Sequence, residues 1–320
     1  MCGIAGYFGS IPRERLMLAS MSQAHRGPDG DGTWFDVGNS LGLAHRRLAI
    51  LDLSPNGSQP MSSADGAVTL TFNGEIYNFR ELRAELEQQG HRFRGQSDTE
   101  VLLELYLEEG EALLRRLNGI FAFALWDKRS SSLFIARDAF GVKPLYYTES
   151  SRAFAFASEI KALLCMAPEA RELDIAALHR YLTFLWCPGE GTLLSGVRKL
   201  GPGEAMIVRE GRIIRRWTWY QLPMFRGVRA DPAAADAPSE VAAALRTAVK
   251  RQMVADVSVG AFLSGGVDSS AIVAFAREQA ADIRCFTIEV EGGQERGTAE
   301  DLPYAQRVAR HLGVKLDVVQ

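Results

Sequence analysis

The sequence predicts an α/β protein in two parts: a mixed α+β domain, then the beginning of a doubly wound parallel-sheet domain. Three observations carry the prediction. Up to about residue 230, strand-like and helix-like patterns mix without a regular order. Residues 228–238 include Asp231-Pro232-Ala233-Ala234-Ala235-Asp236-Ala237-Pro238, a composition suited to a linker. Beyond it, helix and strand alternate at the spacing of a parallel sheet being wound. A chain of 320 residues with 47% apolar content exceeds one average domain and can fill a large core. The expected division is 1–220, a linker over 221–238, and 239–320.

In chain order, strands are expected over 68–72, 119–127, 133–137 and 153–157, where Phe, Ile and Ala alternate at period two. In Phe121-Ala122-Phe123-Ala124-Leu125-Trp126 both alternating faces are apolar, which calls for a sheet covered on both sides. Helices are expected over 79–89, closed by Gly90, and over 98–109, closed by Gly110. The second part reads as a helix over 239–252, a strand over 257–263, a helix over 269–279 and a strand over 284–290. A helix opened near Asp301 and Pro303 and closed by Gly313 leads to a strand over 315–319.

Charge and cysteine usage narrow the function classes. Lys and Arg total 36 against 39 Asp and Glu, a net charge of −3 without long runs of one sign. That balance does not favour a nucleic-acid or membrane surface. The four cysteines, Cys2, Cys165, Cys187 and Cys285, form no CxxC pair or metal-like cluster, which fits a reducing cytoplasm. No run approaches the roughly 18 apolar residues of a membrane span, and no secretory signal opens the chain. A homodimer is one assembly that the sequence leaves open.

Two short motifs carry chemistry. In Met1-Cys2-Gly3-Ile4-Ala5-Gly6, removal of Met1 would make Cys2 the first residue of the mature chain. Its thiol must ionise before attacking, and the α-amine of the same residue, with a reference pKa of about 8, can accept the proton. A small buried residue near the chain start is the simpler reading of Cys2 by position alone. Ser264-Gly265-Gly266-Val267-Asp268-Ser269-Ser270 sits where a strand ends and a helix begins. Glycines there let backbone N–H groups converge on a phosphate, and the helix N-terminus adds a favourable field. Hydroxyls of Ser264, Ser269 and Ser270 can donate further, and Asp268 could hold a phosphate-bound Mg²⁺. The loop lacks the lysine of a Walker A motif. A glycine turn with a serine N-cap is the structural alternative.

Several separate stretches make the chain resemble the glutamine-dependent asparagine synthetases. They are Met1-Cys2-Gly3-Ile4, His25-Arg26-Gly27-Pro28-Asp29, Ala44-His45-Arg46-Arg47-Leu48-Ala49-Ile50, Asn73-Gly74-Glu75-Ile76-Tyr77-Asn78 and Ser97-Asp98-Thr99-Glu100. Arg137-Asp138 with Gly141, Pro144-Leu145-Tyr146-Tyr147, and Ala157-Ser158-Glu159 with Lys161 continue the match. The first part alone would match other amidotransferases with an N-terminal cysteine; the loop over 264–270, similar to a pyrophosphate-binding loop, separates the synthetases from them.

The resemblance implies a four-layer αββα N-terminal-nucleophile glutaminase domain and the start of an ATP-pyrophosphatase domain. It implies that Cys2 attacks the side-chain amide of glutamine, releasing ammonia and leaving a glutamyl thioester. Asn73 and Gly74 would supply oxyanion donors through a side-chain amide and a backbone N–H. Arg47 would pair with the glutamine α-carboxylate and Glu75 and Asp98 with its α-ammonium, with Leu48 and Ile50 also lining the site. Asn-Gly between apolar runs is also a hairpin-turn signal; a surface arginine and a helix N-cap are the alternative readings of Arg47 and Asp98, with ligand contact favoured for both. His25 is expected to support a loop, and the other three cysteines to be core thiols. In the second part the resemblance implies that ATP, as its Mg²⁺ complex, activates the side-chain carboxylate of aspartate as an acyl adenylate, with no prosthetic group. Ammonia then displaces AMP. Leu263, Ser264, Gly265, Gly266, Asp268, Ser269, Ser270 and Ile288 would surround the nucleotide, although Leu263 and Ile288 read equally as strand core.

The family's synthetase domain continues well past the point matching Gln320, so the chain reads as an N-terminal piece of such an enzyme with the glutaminase half intact. A related amidotransferase with another carboxylate acceptor, glutaminase activity alone, and a non-catalytic sensor of glutamine or nucleotide are the competing readings.

Overall fold

The computed structural model describes residues 1–223, 236–289 and 301–320. They fall into two compact units, 1–224 and 225–320, each considered by itself. The linker expected over 221–238 lies largely outside the described residues.

The first unit pairs two six-stranded antiparallel sheets. The chain begins in one sheet with β1 (Gly3–Gly9), β2 (Gly30–Asp36) and β3 (Leu41–Arg47). It crosses to the other with β4 (Met61–Ser62), β5 (Val68–Ile76), β6 (Gly119–Asp127) and β7 (Ser132–Arg137). It returns with β8 (Tyr146–Glu149), β9 (Ala153–Ala157) and β10 (Arg198–Lys199), then ends in the second sheet with β11 (Glu204–Arg209) and β12 (Arg212–Thr218). The strand orders are β10-β8-β9-β1-β3-β2 and β12-β11-β7-β6-β5-β4.

Period-two alternation sorts the side chains into layers. Ile4 and Phe8 of β1, Leu41 and Leu43 of β3, Phe154 and Phe156 of β9, and Ala122, Ala124 and Trp126 of β6 fill the space between the sheets. On the opposite face of the first sheet, Ala5, Ala155 and Ala157 are small enough for helices to pack closely. There α1 (Arg13–Ser22) brings Leu16 and Ala19, and α4 (Ile160–Met166) brings Ala162, Leu163 and Met166. The outer face of the second sheet is covered by α2 (Phe79–Gln88) and α3 (Asp98–Glu109), where Tyr106 of α3 stacks on Phe134 of β7 at 6.0 Å. The result is the expected helix–sheet–sheet–helix sandwich, and the doubly apolar run over 121–126 is the buried strand that its pattern implies. A further helix, α5 (Ile175–Phe184), precedes β10.

Two local readings change. Strand β5 does not stop at residue 72; it runs through Asn73 and Gly74, which pair with Ala122 and Phe121 of β6, to Ile76. The Asn-Gly pair is therefore not a hairpin turn. Gly74 is required by close packing instead, since a Cβ there would lie 2.5 Å from the Ile120 carbonyl oxygen and 2.7 Å from Phe121 Cβ. At the start of α3, the N-cap is Ser97, whose hydroxyl accepts the Glu100 N–H at 3.2 Å. Asp98 is left for another use. All four cysteines are free thiols; Cys285 is buried, whereas Cys165 and Cys187 are partly exposed rather than core.

The second unit opens with α6 (Ala237–Gln252). It continues as β13 (Gly260–Phe262), α7 (Val267–Gln279), β14 (Arg284–Ile288), α8 (Leu302–Leu312) and β15 (Lys315–Val319). The three strands are parallel in the order β13-β14-β15. Leu263, Val273, Cys285, Ala305 and Ala309 form one core, which places α7 and α8 together on one face, as successive right-handed crossovers require. The strand expected over 257–263 shortens to three residues, and α7 begins two residues before the expected Ser269.

Candidate active site

Cys2 sits immediately before β1, and three of the sequence motifs meet to hold it. Ser158 ties the start of β1 to the end of β9: its hydroxyl accepts the Ile4 N–H at 3.0 Å and its own N–H donates to the Ile4 carbonyl at 2.9 Å. Arg26 Nε donates to the Cys2 carbonyl at 2.9 Å, while Arg26 Nη1 and His25 Nε2 lie 3.1 and 2.9 Å from Glu159 Oε1. His25 thus supports a loop, as expected. The Leu48 N–H approaches Cys2 Sγ at 3.4 Å, and its carbonyl oxygen lies 3.6 Å from the same sulfur. Burial pushes the Cys2 thiol up from its ordinary pKa, and the Leu48 N–H acts against that shift.

One pocket of about 110 Å³ beside Cys2 collects every glutaminase residue that the sequence singles out: Arg47, Leu48, Ile50, Asn73, Gly74, Glu75 and Asp98. The strand β5 explains how. In an antiparallel strand, alternate N–H groups point to the same side. On the side away from β6, the Phe72 N–H donates to Gln59 Oε1 at 2.7 Å and the Ile76 N–H to Asp98 Oδ2 at 2.9 Å. The Gly74 N–H lies between them and is turned the same way, toward the pocket. Asn73 is fully buried, and both its amide atoms lack a hydrogen-bond partner. A buried, unpartnered amide is costly unless a ligand completes it.

Two acids and two cations surround this amide. Burial raises the Asp98 carboxyl to about 7, with the nearby Glu75 charge adding to the rise and the Ile76 N–H opposing it. Burial likewise pushes Glu75 up, opposed by Lys143. The Arg47 guanidinium is anchored by loop carbonyls, reaching Ser54 at 3.1 Å and also Asp52. It is therefore held by the fold rather than free at the surface.

Three features in or behind the pocket were given no role by the sequence reading. Gln59 binds Phe72 and also donates to Thr99 Oγ1 at 3.2 Å, while His45 Nε2 lies 3.1 Å from the Phe72 carbonyl. Together they clamp the residue before Asn73. Burial lowers His45 to about 3, so its ring is neutral and donates through Nε2. Lys143 lines the pocket from the loop after β7. It falls between Gly141 and Pro144 of the family match, which does not include it.

In the second unit the loop over 264–270 has a different character. Gly265 adopts φ +83°, and a Cβ there would lie 2.4 Å from the Tyr304 carbonyl carbon. Ser264 and Ser269 hydroxyls are 3.0 Å apart, and Ser270 Oγ donates to the Gly266 carbonyl at 2.6 Å. The N-cap of α7 is Gly266 with no side-chain cap, so the serine-cap alternative does not hold and the first N–H groups of the helix are not taken by one. Asp268 is exposed in the first turn. Leu263 is packed in the core, whereas Ile288, at the end of β14, is 60% exposed. Among the described residues no group of three or more His, Cys, Asp or Glu side chains could hold a metal.

The layered fold with a cysteine at the head of its first strand defines the class: a glutamine amidotransferase domain. The chain belongs to the glutamine amidotransferase domain family, whose model matches residues 1–220, and residues 240–320 match the asparagine synthase model. It is 39% identical over 322 residues to glutamine-hydrolysing asparagine synthetase 1 of Bacillus subtilis, covering 98% of this chain and 49% of that protein. A putative asparagine synthetase of Mycobacterium tuberculosis is 38% identical, with the same coverage. Amidase chry2 of Gibberella zeae is 33% identical over 93% of this chain and 45% of its own. The chain thus spans about half the length of the curated relatives it matches. Among solved structures, the glutamine phosphoribosylpyrophosphate amidotransferase of Bacillus subtilis, complexed with ADP and GMP, aligns with a TM-score of 0.53 at 18% identity. The alignment covers 100% of this chain and 91% of that one, a likeness of fold.

Proposed function

We propose that the first unit hydrolyses glutamine and that the ammonia serves ATP-dependent synthesis of asparagine from aspartate in the cytoplasm. The observation that carries the glutaminase half is the fully buried Asn73, its amide unpartnered, in a pocket that also holds Cys2, Arg47, Glu75 and Asp98.

Once Met1 is removed, the Cys2 thiol gives its proton to its own α-amine and attacks the side-chain carbonyl carbon of glutamine. The carbonyl oxygen becomes an oxyanion between the Asn73 amide and the Gly74 N–H. Collapse breaks the C–N bond, the proton leaves with ammonia, and a thioester remains for water to hydrolyse. Arg47 takes the α-carboxylate, and Asp98 with Glu75 takes the α-ammonium. A bound ammonium also relieves the charge that burial and mutual repulsion make costly on the two acids.

The second unit fits the phosphates of ATP: Gly265 occupies a position where no side chain fits, and the uncapped start of α7 faces the same turn. Ser264, Ser269 and Ser270 would donate to phosphate oxygens. The single carboxylate of Asp268 suits a Mg²⁺ held mainly by phosphates. ATP would supply the activation that a carboxylate needs before ammonia can attack it.

The test is incubation with amide-¹⁵N glutamine, aspartate and ATP–Mg²⁺. Glutamate with labelled asparagine supports both halves; glutamate without it limits the reading to the glutaminase. Absence of both from folded protein lacking Met1 overturns the proposal.

A further inference from the structure

The loop after β7 is built to hold one cation against the pocket. Asp138 is fully buried and accepts the N–H groups of Phe121, Phe140, Val142 and Lys143 at 3.2, 3.0, 3.0 and 3.0 Å. The Arg137 guanidinium spans the same turn, donating to the carbonyls of Lys143 at 2.7 Å, Gly141 at 2.6 Å and Leu200 at 2.5 Å. Both backbone polar groups of Lys143 are therefore fixed by buried or half-buried charges. The side chain so placed is 6% exposed and lines the pocket with Cys2, Glu75 and Asp98. Among the described residues no carboxylate forms an ion pair with its ammonium. A buried charge without a direct partner is expensive, and a fold that invests a rigid turn in placing one there implies a use.

Charge counting identifies the use, given the glutaminase reading above. Arg47 balances the glutamine α-carboxylate, and the α-ammonium balances one of Glu75 and Asp98. The other carboxylate leaves a surplus negative charge beside a sulfur that must itself become negative. We propose that Lys143 is a positioning residue for Cys2, its ammonium offsetting that surplus and favouring the thiolate so that the pocket can hold glutamine and ionise its nucleophile together. Lys143 keeps its proton throughout; the thiol proton passes to the α-amine and departs with ammonia.

The surrounding electrostatics agree. Burial lowers the Lys143 ammonium, while Glu75 and Cys2 support its charge, Arg26 opposes it and Asp138 supports it. In return Lys143 favours ionised Cys2 and Glu75. Asp98, which also faces Cys2, works against the thiolate.

The experiment compares the full chain lacking Met1 with its Lys143→Met, Lys143→Gln and Lys143→Arg variants, each checked for folding by circular dichroism and melting temperature. The pH midpoint of Cys2 alkylation by iodoacetamide, without glutamine, reports the thiolate directly. Lys143→Met and Lys143→Gln should raise the midpoint by about one pH unit, lower kcat/KM for glutamine roughly tenfold or more at pH 7, and recover part of the loss at higher pH. Lys143→Arg should restore the midpoint. An unshifted midpoint in either folded neutral variant overturns the proposal. Because alkylation needs no turnover, a shifted midpoint in a chain that releases no glutamate would sink the glutaminase reading while leaving this electrostatic role standing.

Discussion

On the proposed reading, the pocket beside Cys2 and the loop over 264–270 would hold a charged small molecule in opposite ways. The pocket gathers side chains from positions as far apart as Cys2, Arg47, Asn73, Asp98 and Lys143, with Asp98 tied to the Ile76 N–H and the Lys143 backbone fixed by Arg137 and Asp138. The loop is seven consecutive residues whose binding capacity lies in backbone N–H groups and short hydroxyls at a strand-to-helix turn. Covalent chemistry on an amide needs several groups at fixed positions around one carbon, which only a packed interior can guarantee. Phosphate binding needs convergent dipoles, which one turn of backbone provides. Damage to the pocket's oxyanion donors should therefore appear in turnover, damage to its charged side chains in the KM for glutamine, and damage to the loop in nucleotide affinity and local stability.

The largest effect expected is from Asn73→Ala, which removes the side-chain oxyanion donor. Steady-state kinetics should show glutaminase kcat down about 100- to 1000-fold, with KM little changed. A large change in KM with kcat intact would place Asn73 among groups that only hold substrate. Arg47→Leu should do the reverse, raising the KM for glutamine roughly 10- to 100-fold by removing a charge-assisted contact. In the second unit, Gly265→Ala forces a left-handed backbone position onto a residue with a Cβ and drives it against Tyr304. Thermal unfolding should show that unit losing about 1–3 kcal/mol, and stabilisation by ATP–Mg²⁺ should weaken.

The smallest effect bears on the cost of the pocket. Asp98 titrates at about 7 in the folded chain against 3.8 when unfolded. Its folded-state pKa is raised, so the folded chain holds the proton more tightly. Stability is highest at the acid end of that window, falls as pH rises from about 4 to 7, and is flat above. Asp98→Asn should therefore raise stability at pH 8 by about 1 kcal/mol or more, with the gain vanishing toward pH 4, while weakening glutamine binding. In the parent, glutamine KM should rise as pH falls below about 7. Urea melts at the two pH values, beside KM against pH, decide it; a variant that is destabilised at pH 8 would contradict the burial argument.

The same contrast explains what the sequence could tell. Strand, turn and helix around 264–270 are adjacent in the chain, so their arrangement could be read there. Residues 121–126 announce a strand covered on both faces because period two survives in the sequence. The hairpin expected at Asn73-Gly74 failed because its local signal gave way to pairing with β6, which continues to Ile76. Ser97 displaced Asp98 as helix cap for a related reason: the carboxylate is engaged by the Ile76 N–H from another element. Lys143, Gln59 and His45 were out of reach because what each does depends on a partner far away in sequence, and none has a spacing that marks it. Family resemblance supplied the long-range arrangement for the residues whose roles it names and left these three without one.

The most direct test of the account is glutamate release from glutamine by the purified chain beside its Cys2→Ala variant, after mass spectrometry shows that Met1 is gone. The account predicts release by the parent and none above background from the variant. Release that persists in Cys2→Ala, or its absence from a folded parent that binds glutamine and lacks Met1, would contradict it.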